Sequence, residues 1–151
     1  MKDVEYVIGQ VESQLTNSGA RLTAKRKLVL SCLLESQKAM SAYEVVAYAK
    51  DEFDEVLPVM SVYRILDVLQ EHDVVHKLQL ANKYVACSHI CCDHSHQVPQ
   101  FLVCSQCAKV REIGLQPSLM ADLKQGVVDA GFHLQSPQIE LNCLCDECVE
   151  A

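Results

Sequence analysis

Two pairs of cysteines in the C-terminal part of the chain have a spacing that suits metal binding. Cys104 and Cys107 are separated by two residues, and so are Cys145 and Cys148. Two intervening residues allow one tight turn to direct both sulfurs toward a single ion, and two such pairs complete a tetrahedral thiolate site. Four thiolates suit zinc and leave no open coordination position, so the sequence predicts a structural site rather than a catalytic one.

The alternative interpretations of these pairs are a redox-active dithiol or buried thiols without a chemical role. A thioredoxin-like role would require one reactive pair within a strand–helix–strand unit, and neither pair has that context. Strand-like segments flank the first pair, and two pairs together are typical of a metal site. We therefore favour the zinc interpretation.

A second group of potential ligands combines nitrogen, sulfur and oxygen donors. Its members are His76, Cys87, His89, Cys91, Cys92, His94, His96 and Glu112. Mixed ligands bind zinc more weakly than four thiolates, and their affinity depends on pH because histidine must be neutral. These properties suit a sensor, although the alternative for any single histidine is an exposed loop residue.

The composition narrows the location of the protein. Nine cysteines occur in a chain whose amino terminus carries early acids and no apolar run, so a secretory signal is not expected. The apolar stretches fall short of the ~20 residues of a membrane span. We expect a cytoplasmic protein without a membrane partner, in which metal thiolates rather than disulfides account for the cysteines.

The distribution of charge bears on nucleic-acid binding. A formal net charge of −7 argues against a protein that coats nucleic acid nonspecifically. A site-specific reader remains compatible with it, because the field at the contact face matters more than the total charge. Residues 17–34 contain no acid and carry Arg21, Lys25, Arg26 and Lys27, so a local basic surface is expected there.

The first half of the chain has the pattern of a helical domain. Apolar residues recur at helical spacing over residues 4–15. Thr23, Ser41 and Ser61 are predicted to cap three further helices, the last after the break at Leu57-Pro58. Glu44 gives the Ser41 cap the form of a capping box.

The period then changes from helical to alternating, which predicts a hairpin. One strand begins near His76, residues 81–83 form the turn, and residues 84–87 form the returning strand. Helices followed by a hairpin are the layout of a winged helix-turn-helix, with other small helical arrangements as the alternative.

The second half predicts a small mixed domain. Short strands are expected at 101–103 and 110–113, a helix from Pro117 to Gly131, and a last strand at 139–141. The predicted fold class is therefore α+β, with an N-terminal winged helix-turn-helix in 1–83. A small α/β dimerisation domain with the four-cysteine zinc site would occupy 84–151, with a hinge at about 81–88.

Short segments along nearly the whole chain form a familiar series. They are Arg21-Leu22-Thr23 with Arg26, Ser41-Ala42-Tyr43, Ser61-Val62-Tyr63-Arg64-Ile65-Leu66, Val75-His76-Lys77, Tyr84-Val85-Ala86-Cys87, the two cysteine pairs and Gly131-Phe132. In content and order this series resembles the ferric uptake regulator family, and within it the zinc uptake regulators.

The resemblance implies a homodimer with two zinc ions per subunit. The structural zinc would be held by the four paired cysteines. The regulatory zinc would be held by His76, Cys87, one loop histidine and Glu112, with His96 as our choice and His94 as the alternative. The loop after Cys87 is longer than usual in the family, so its other ligands, His89, Cys91 and Cys92, could bind further metal or replace a usual ligand.

A winged helix leads to a hypothesis for how operator DNA would be read, with a solvated helix face as the alternative for Arg64. The helix that contains Ser61 would enter the major groove, where Arg64 can donate two hydrogen bonds to a guanine edge. Tyr63 would contact a phosphate or a thymine methyl group. Four residues would mainly fix the register on phosphates: Arg21, Lys25, Arg26 and Tyr43.

The sequence thus predicts a zinc-responsive repressor of zinc uptake genes that binds double-stranded palindromic operator DNA. An iron-, manganese- or peroxide-responsive member of the same family is the alternative. An enzyme is not expected, and neither is a small-molecule substrate, because the His-x-Glu and Pro-Cys-x-x-Cys elements of a zinc deaminase do not occur. A purely structural zinc-ribbon protein would lack the Tyr63-Arg64 reading helix.

Overall fold

The computed structural model describes residues 3–79, 81–87, 100–135 and 138–150 of the chain. The chain divides into two compact units, Met1–Asp93 and His94–Ala151. The predicted hinge over 81–88 runs to the edge of a segment, 88–99, that lies outside the described residues. The domain boundary after residue 83 therefore stays a prediction.

Four helices and a hairpin build the first unit. They are α1 (Val4–Asn17), α2 (Ala24–Ser36), α3 (Ala42–Phe53), α4 (Val59–Glu71), β1 (Val75–Leu78) and β2 (Lys83–Ala86). The Thr23 hydroxyl accepts a hydrogen bond from the Arg26 N–H at 3.3 Å, and the Ser41 hydroxyl accepts one from the Glu44 N–H at 3.2 Å. The predicted caps of α2 and α3 are therefore confirmed.

The predicted cap of α4 is wrong. The helix begins at Val59 with Pro58 as its N-cap, which makes no side-chain capping bond, so Ser61 lies inside the first turn. Proline disfavours helical backbone in the residue before it, so the helix cannot include Leu57. Nothing in Val59 or Met60 opposes helical backbone, and the helix starts as soon as the proline allows.

The end of α4 directs the chain into the hairpin. Asp73 has a φ of 57°, in the left-handed region that aspartate tolerates better than most residues. The Val74 N–H then donates to the Leu69 carbonyl at 2.9 Å, which completes a Schellman-type reversal. The strand β1 therefore starts only four residues after the last residue of α4.

The hairpin is antiparallel, and its register places His76 opposite Val85 and Lys77 opposite Tyr84. Tyr84 also exchanges backbone hydrogen bonds with Met40 at 2.8 and 2.9 Å, which joins the hairpin to the connection between α2 and α3. The inner face of α4 is buried as predicted: Val62, Ile65, Leu66 and Leu69. The hairpin and α4 therefore share one core.

The described residues of the second unit form a three-stranded sheet with two helices. Its elements are β3 (Gln100–Cys104), β4 (Val110–Ile113), α5 (Pro117–Asp129), β5 (Ile139–Cys143) and α6 (Asp146–Val149). The strand order is β4-β3-β5, in which β3 pairs antiparallel with β4 and parallel with β5. No residue of α5 is buried within the described chain, which leaves its apolar face open.

These elements confirm the predicted fold class, a winged helix-turn-helix followed by a small α/β unit. Among the described residues, no helix combines the length and apolar character needed to cross a membrane.

Candidate metal sites and DNA-facing surface

The turn between β3 and β4 presents the first cysteine pair. Cys104 is the last residue of β3, and its carbonyl accepts a hydrogen bond from the Ala108 N–H at 3.0 Å. Ala108 has a φ of 62°, a left-handed conformation that closes the turn. The Cys104 N–H donates to the Lys109 carbonyl at 2.9 Å, so Cys107 is held inside a tight turn.

The end of β5 delivers the second pair to the same place. Cys143 lies opposite Cys104 in the parallel register, and its carbonyl accepts a hydrogen bond from the Ser105 N–H at 2.9 Å. Cys145 is then the N-cap of α6, which places Cys148 one turn later. Strand pairing and one helical turn thus bring together residues about 40 positions apart.

The four sulfurs of Cys104, Cys107, Cys145 and Cys148 lie within 4.8 Å of one another. The Cys107 and Cys145 sulfurs are 3.7 Å apart. Tetrahedral zinc with bonds of about 2.3 Å requires sulfurs separated by about 3.8 Å. The donor set and its spacing therefore fit a zinc ion.

Hydrogen bonds give the four thiols unequal pKa values. Backbone N–H groups of Cys107, Cys145 and Gln106 lower the pKa of the Cys104 thiol to about 6. Hydrogen bonds with the Cys145 and Cys104 side chains raise the pKa of the Cys148 thiol to about 12. The group thus contains one readily formed thiolate and one tightly held proton, which a divalent cation would displace on binding.

Three other described cysteines lie outside this group: Cys32, Cys143 and Cys87, the last of which belongs to the second candidate site. Cys143 is half-buried and two residues from Cys145. Cys32 is buried in the core of the first unit, and burial raises the pKa of its thiol to about 11. A protonated, enclosed Cys32 is a packing residue.

The hairpin brings His76 and Cys87 together in the first unit. The Cys87 N–H donates to the Val74 carbonyl at 2.9 Å, which continues the strand register by one residue. Side chains two positions apart share a face of a strand, so Cys87 lies on the same face as Val85, the partner of His76. The ligand atoms of His76 and Cys87 lie within 4.8 Å of each other.

The remaining predicted regulatory ligands come from other segments of the sequence. Glu112 is a half-buried residue of β4 in the second unit. His96, the alternative His94 and the further ligands His89, Cys91 and Cys92 lie outside the described residues.

The outer face of α4 carries the predicted reading residues. Arg64 is exposed and Tyr63 is half-buried. The Tyr63 ring packs edge-to-face against the Tyr43 ring, with centroids 6.4 Å apart and an interplanar angle of 86°. Tyr43 is 67% exposed, so the aromatic pair continues the surface of α4 onto α3.

The predicted phosphate-contacting residues lie at the start of α2. Arg21 and Lys25 are exposed. The Arg26 guanidinium donates to the Arg21 carbonyl at 2.6 Å, which fixes the segment that enters the helix. These three cations therefore form a local basic surface, as the acid-free sequence predicts.

One exposed residue on the outer face of α4 was not predicted. Met60 is 62% exposed and belongs to the first turn of α4. A helix predicted to start at Ser61 excludes it. The signal that could have found it is its spacing, three residues before Tyr63 and four before Arg64.

Comparison with known proteins gives a consistent result. The model of the ferric uptake regulator family matches residues 17–142. The zinc uptake regulation protein of Escherichia coli (strain K12) is 31% identical, over 97% of this chain and 83% of the relative. A solved zinc uptake regulator complexed with zinc and DNA has a TM-score of 0.81 and 27% identity, over 99% of this chain and 97% of the other. The crystal structure of holo XcZur has a TM-score of 0.77 and 29% identity, over 99% and 100%.

The paired-cysteine turns, the winged helix-turn-helix and these similarities over nearly the full length have one explanation: the chain belongs to the ferric uptake regulator family.

Proposed function

We propose that this protein is a cytoplasmic, zinc-responsive transcriptional repressor that binds palindromic operator DNA as a homodimer and controls zinc uptake genes. One observation carries the proposal: a single folded unit holds both the Tyr63–Arg64 surface of α4 and the His76–Cys87 pair on the hairpin that follows. The similarity to a zinc uptake regulation protein and to a regulator complexed with zinc and DNA supports it.

The surface of α4 suits the major groove. Arg64 is long enough to donate two hydrogen bonds to a guanine edge. The first backbone N–H groups of α4 have no acceptor within the helix, and Pro58 supplies no side-chain cap. Such N–H groups are available to a DNA phosphate. Tyr63 would then contact a phosphate or a thymine methyl group, and Tyr43 would contact a phosphate.

The basic surface at the start of α2 would fix the register on the DNA. Arg21 and Lys25 can each neutralise a phosphate, and Arg26 retains further N–H donors beyond the one bound to Arg21. Contacts of this kind add affinity without base preference.

The structural zinc would be held by Cys104, Cys107, Cys145 and Cys148. When bound there, a zinc ion would supply a cross-link between the β3–β4 turn and α6. The residues themselves already converge: the Cys145 N–H donates to the Cys104 sulfur at 3.4 Å, and Lys109 pairs with Glu147 at 3.2 Å. Four thiolates leave no position for a substrate, which fits a structural role.

The regulatory zinc, the second per subunit, would be held by His76, Cys87, His96 and Glu112, with His94 as the alternative to His96. The His76–Cys87 pair supports this proposal directly, because its ligand atoms are close enough to share one ion. A thiolate among the ligands favours zinc over iron or manganese, which prefer nitrogen and oxygen.

The proposed regulation depends on which parts of the protein these ligands would hold in place. His76 and Cys87 flank the hairpin that shares its core with α4, and Glu112 belongs to the second unit. Ligation by residues of both units would select the arrangement in which the winged helix can reach its half-site. The ion shifts this equilibrium only by its different affinity for the two states.

Apolar residues exposed in the second unit support the homodimer. They lie on α5 or on the loop and strand that follow it: Leu119, Leu123, Val128, Phe132, Leu134 and Leu141. Leu119 and Leu123 lie one turn apart on one face of α5, and an exposed apolar face of this kind is typical of an interface between subunits. Twofold symmetry of the dimer would match a palindromic operator.

The structural site is tested with Cys145→Ser. Three remaining sulfurs cannot complete the tetrahedron, so we expect the bound zinc to fall by about one ion per chain and the thermal midpoint to fall with it. Cys143→Ser is the matched control, because Cys143 lies two residues away and outside the four-sulfur group. Metal analysis and thermal unfolding would be measured for both variants. Equal losses of zinc from the two variants would contradict the assignment.

The regulatory site is tested with Cys87→Ser. We expect this variant to keep the structural zinc and to lose zinc-dependent DNA binding, measured by fluorescence anisotropy with an operator selected from random DNA. Cys32→Ser is the control for placing a hydroxyl in the core of the same unit, and His76→Ala should repeat the loss. If Cys87→Ser retained the zinc-dependent affinity of the unmodified protein, the proposed ligand would be wrong.

The reading helix is tested with Arg64→Ala. Loss of two hydrogen bonds to one base should weaken operator binding by about 1–3 kcal/mol and relax the preference at one position of each half-site. Arg111→Ala removes an exposed arginine of β4 instead and should leave base preference unchanged. An unchanged footprint and preference for Arg64→Ala would contradict the assignment.

A further inference from the structure

Met60 occupies the outer face of α4 at its N-terminal end. It is the second residue of the helix, and its side chain is 62% exposed. Tyr63 and Arg64 follow by three and four residues, which places all three on one face. Helical side chains lean toward the N-terminus, so Met60 extends this face beyond Arg64.

The charges along this face indicate which half of α4 meets DNA. The first turns carry Met60, Tyr63 and Arg64 and no acid. Asp67 and Glu71 follow on the same face, and both are exposed. Because DNA phosphates repel these carboxylates, the N-terminal half is the favourable contact surface.

The chemistry of the Met60 side chain favours a base over a phosphate. A thioether carries no charge and no N–H or O–H donor, so it offers a phosphate oxygen no favourable partner. An apolar, flexible methionine side chain suits the C5-methyl group of thymine, the apolar feature of the major groove.

We propose that Met60 is a specificity-determining residue that recognises thymine in the operator through contact with its C5-methyl group. The inference rests on the proposed DNA-binding function and adds a base contact to those of Arg64 and Tyr63. A single exposed apolar side chain has no special meaning by itself. The position of Met60, one helical turn ahead of the guanine-reading arginine, gives it this role.

Thymine-to-deoxyuridine substitution tests the contact, because it removes only the methyl group. The full chain, saturated with zinc, would be used first to select an operator from a random duplex pool. Each thymine would then be replaced symmetrically in both half-sites. Besides any thymine methyl group that Tyr63 contacts, we expect one further position at which affinity falls by about fourfold for each half-site, the effect of burying one methyl group.

The Met60 variants connect that effect to this side chain. In Met60→Ala and Met60→Gln, deoxyuridine at the sensitive position should no longer reduce affinity. Met60→Leu should keep the sensitivity, because leucine retains an apolar contact. Val56→Ala is the matched control: Val56 is 74% exposed in the connection before α4, and its removal should leave the sensitivity intact.

The outcomes separate this inference from the proposed function. A protein that binds no DNA with zinc present overturns both. A protein that binds its operator zinc-dependently, yet shows no methyl-sensitive thymine or keeps the full sensitivity in Met60→Ala, overturns only the role of Met60. Because Met60 is exposed, the variants should retain the thermal midpoint of the unmodified protein, and Met60→Gln preserves the side-chain length.

Discussion

The repulsion among clustered thiolates constrains the whole second unit. Four cysteine sulfurs lie within 4.8 Å of one another, and they cannot all be charged unless a cation lies among them. Within the described part of this unit only Gln100, Phe101 and Cys104 are buried, so its apolar core is small. Small domains commonly depend on a metal for what a core cannot provide. Backbone N–H groups lower the pKa of the Cys104 thiol, whereas hydrogen bonds with neighbouring cysteine side chains raise that of Cys148.

In the first unit, folding does not depend on the candidate metal ligands. Its core is complete without an ion, since the inner face of α4 and the hairpin bury one another. His76 and Cys87 therefore need not bind zinc for the winged helix to fold. The mixed nitrogen, sulfur and oxygen ligands proposed for the regulatory ion would hold it less firmly than four thiolates, which would make occupancy depend on the zinc concentration. A metal-responsive repressor requires a DNA-binding domain that stays folded without the ion and a metal site of moderate affinity.

Some parts of this arrangement follow from the sequence and others depend on long-range geometry. Local rules identify the caps at Thr23 and Ser41 and the two cysteine pairs, because each involves residues within one turn. The predicted cap of α4, Ser61, lies three residues after the observed N-cap, because serine is a good cap, whereas Pro58 decides where the helix can begin. A helix capped by Ser61 does not include Met60, so the prediction left Met60 outside the DNA-facing surface. The convergence of the cysteine pairs depends on the parallel pairing of β3 with β5, which no local pattern encodes.

The central claim is that zinc at the weaker site and operator DNA favour the same state of the protein. Thermodynamic linkage requires that each tighten the binding of the other by one factor. The decisive measurement is a zinc titration of the full chain by calorimetry, with and without saturating operator. The account predicts that operator tightens the weaker of two zinc-binding events by the factor by which zinc tightens operator binding, and leaves the stronger event unchanged. Identical zinc affinities with and without operator would contradict it.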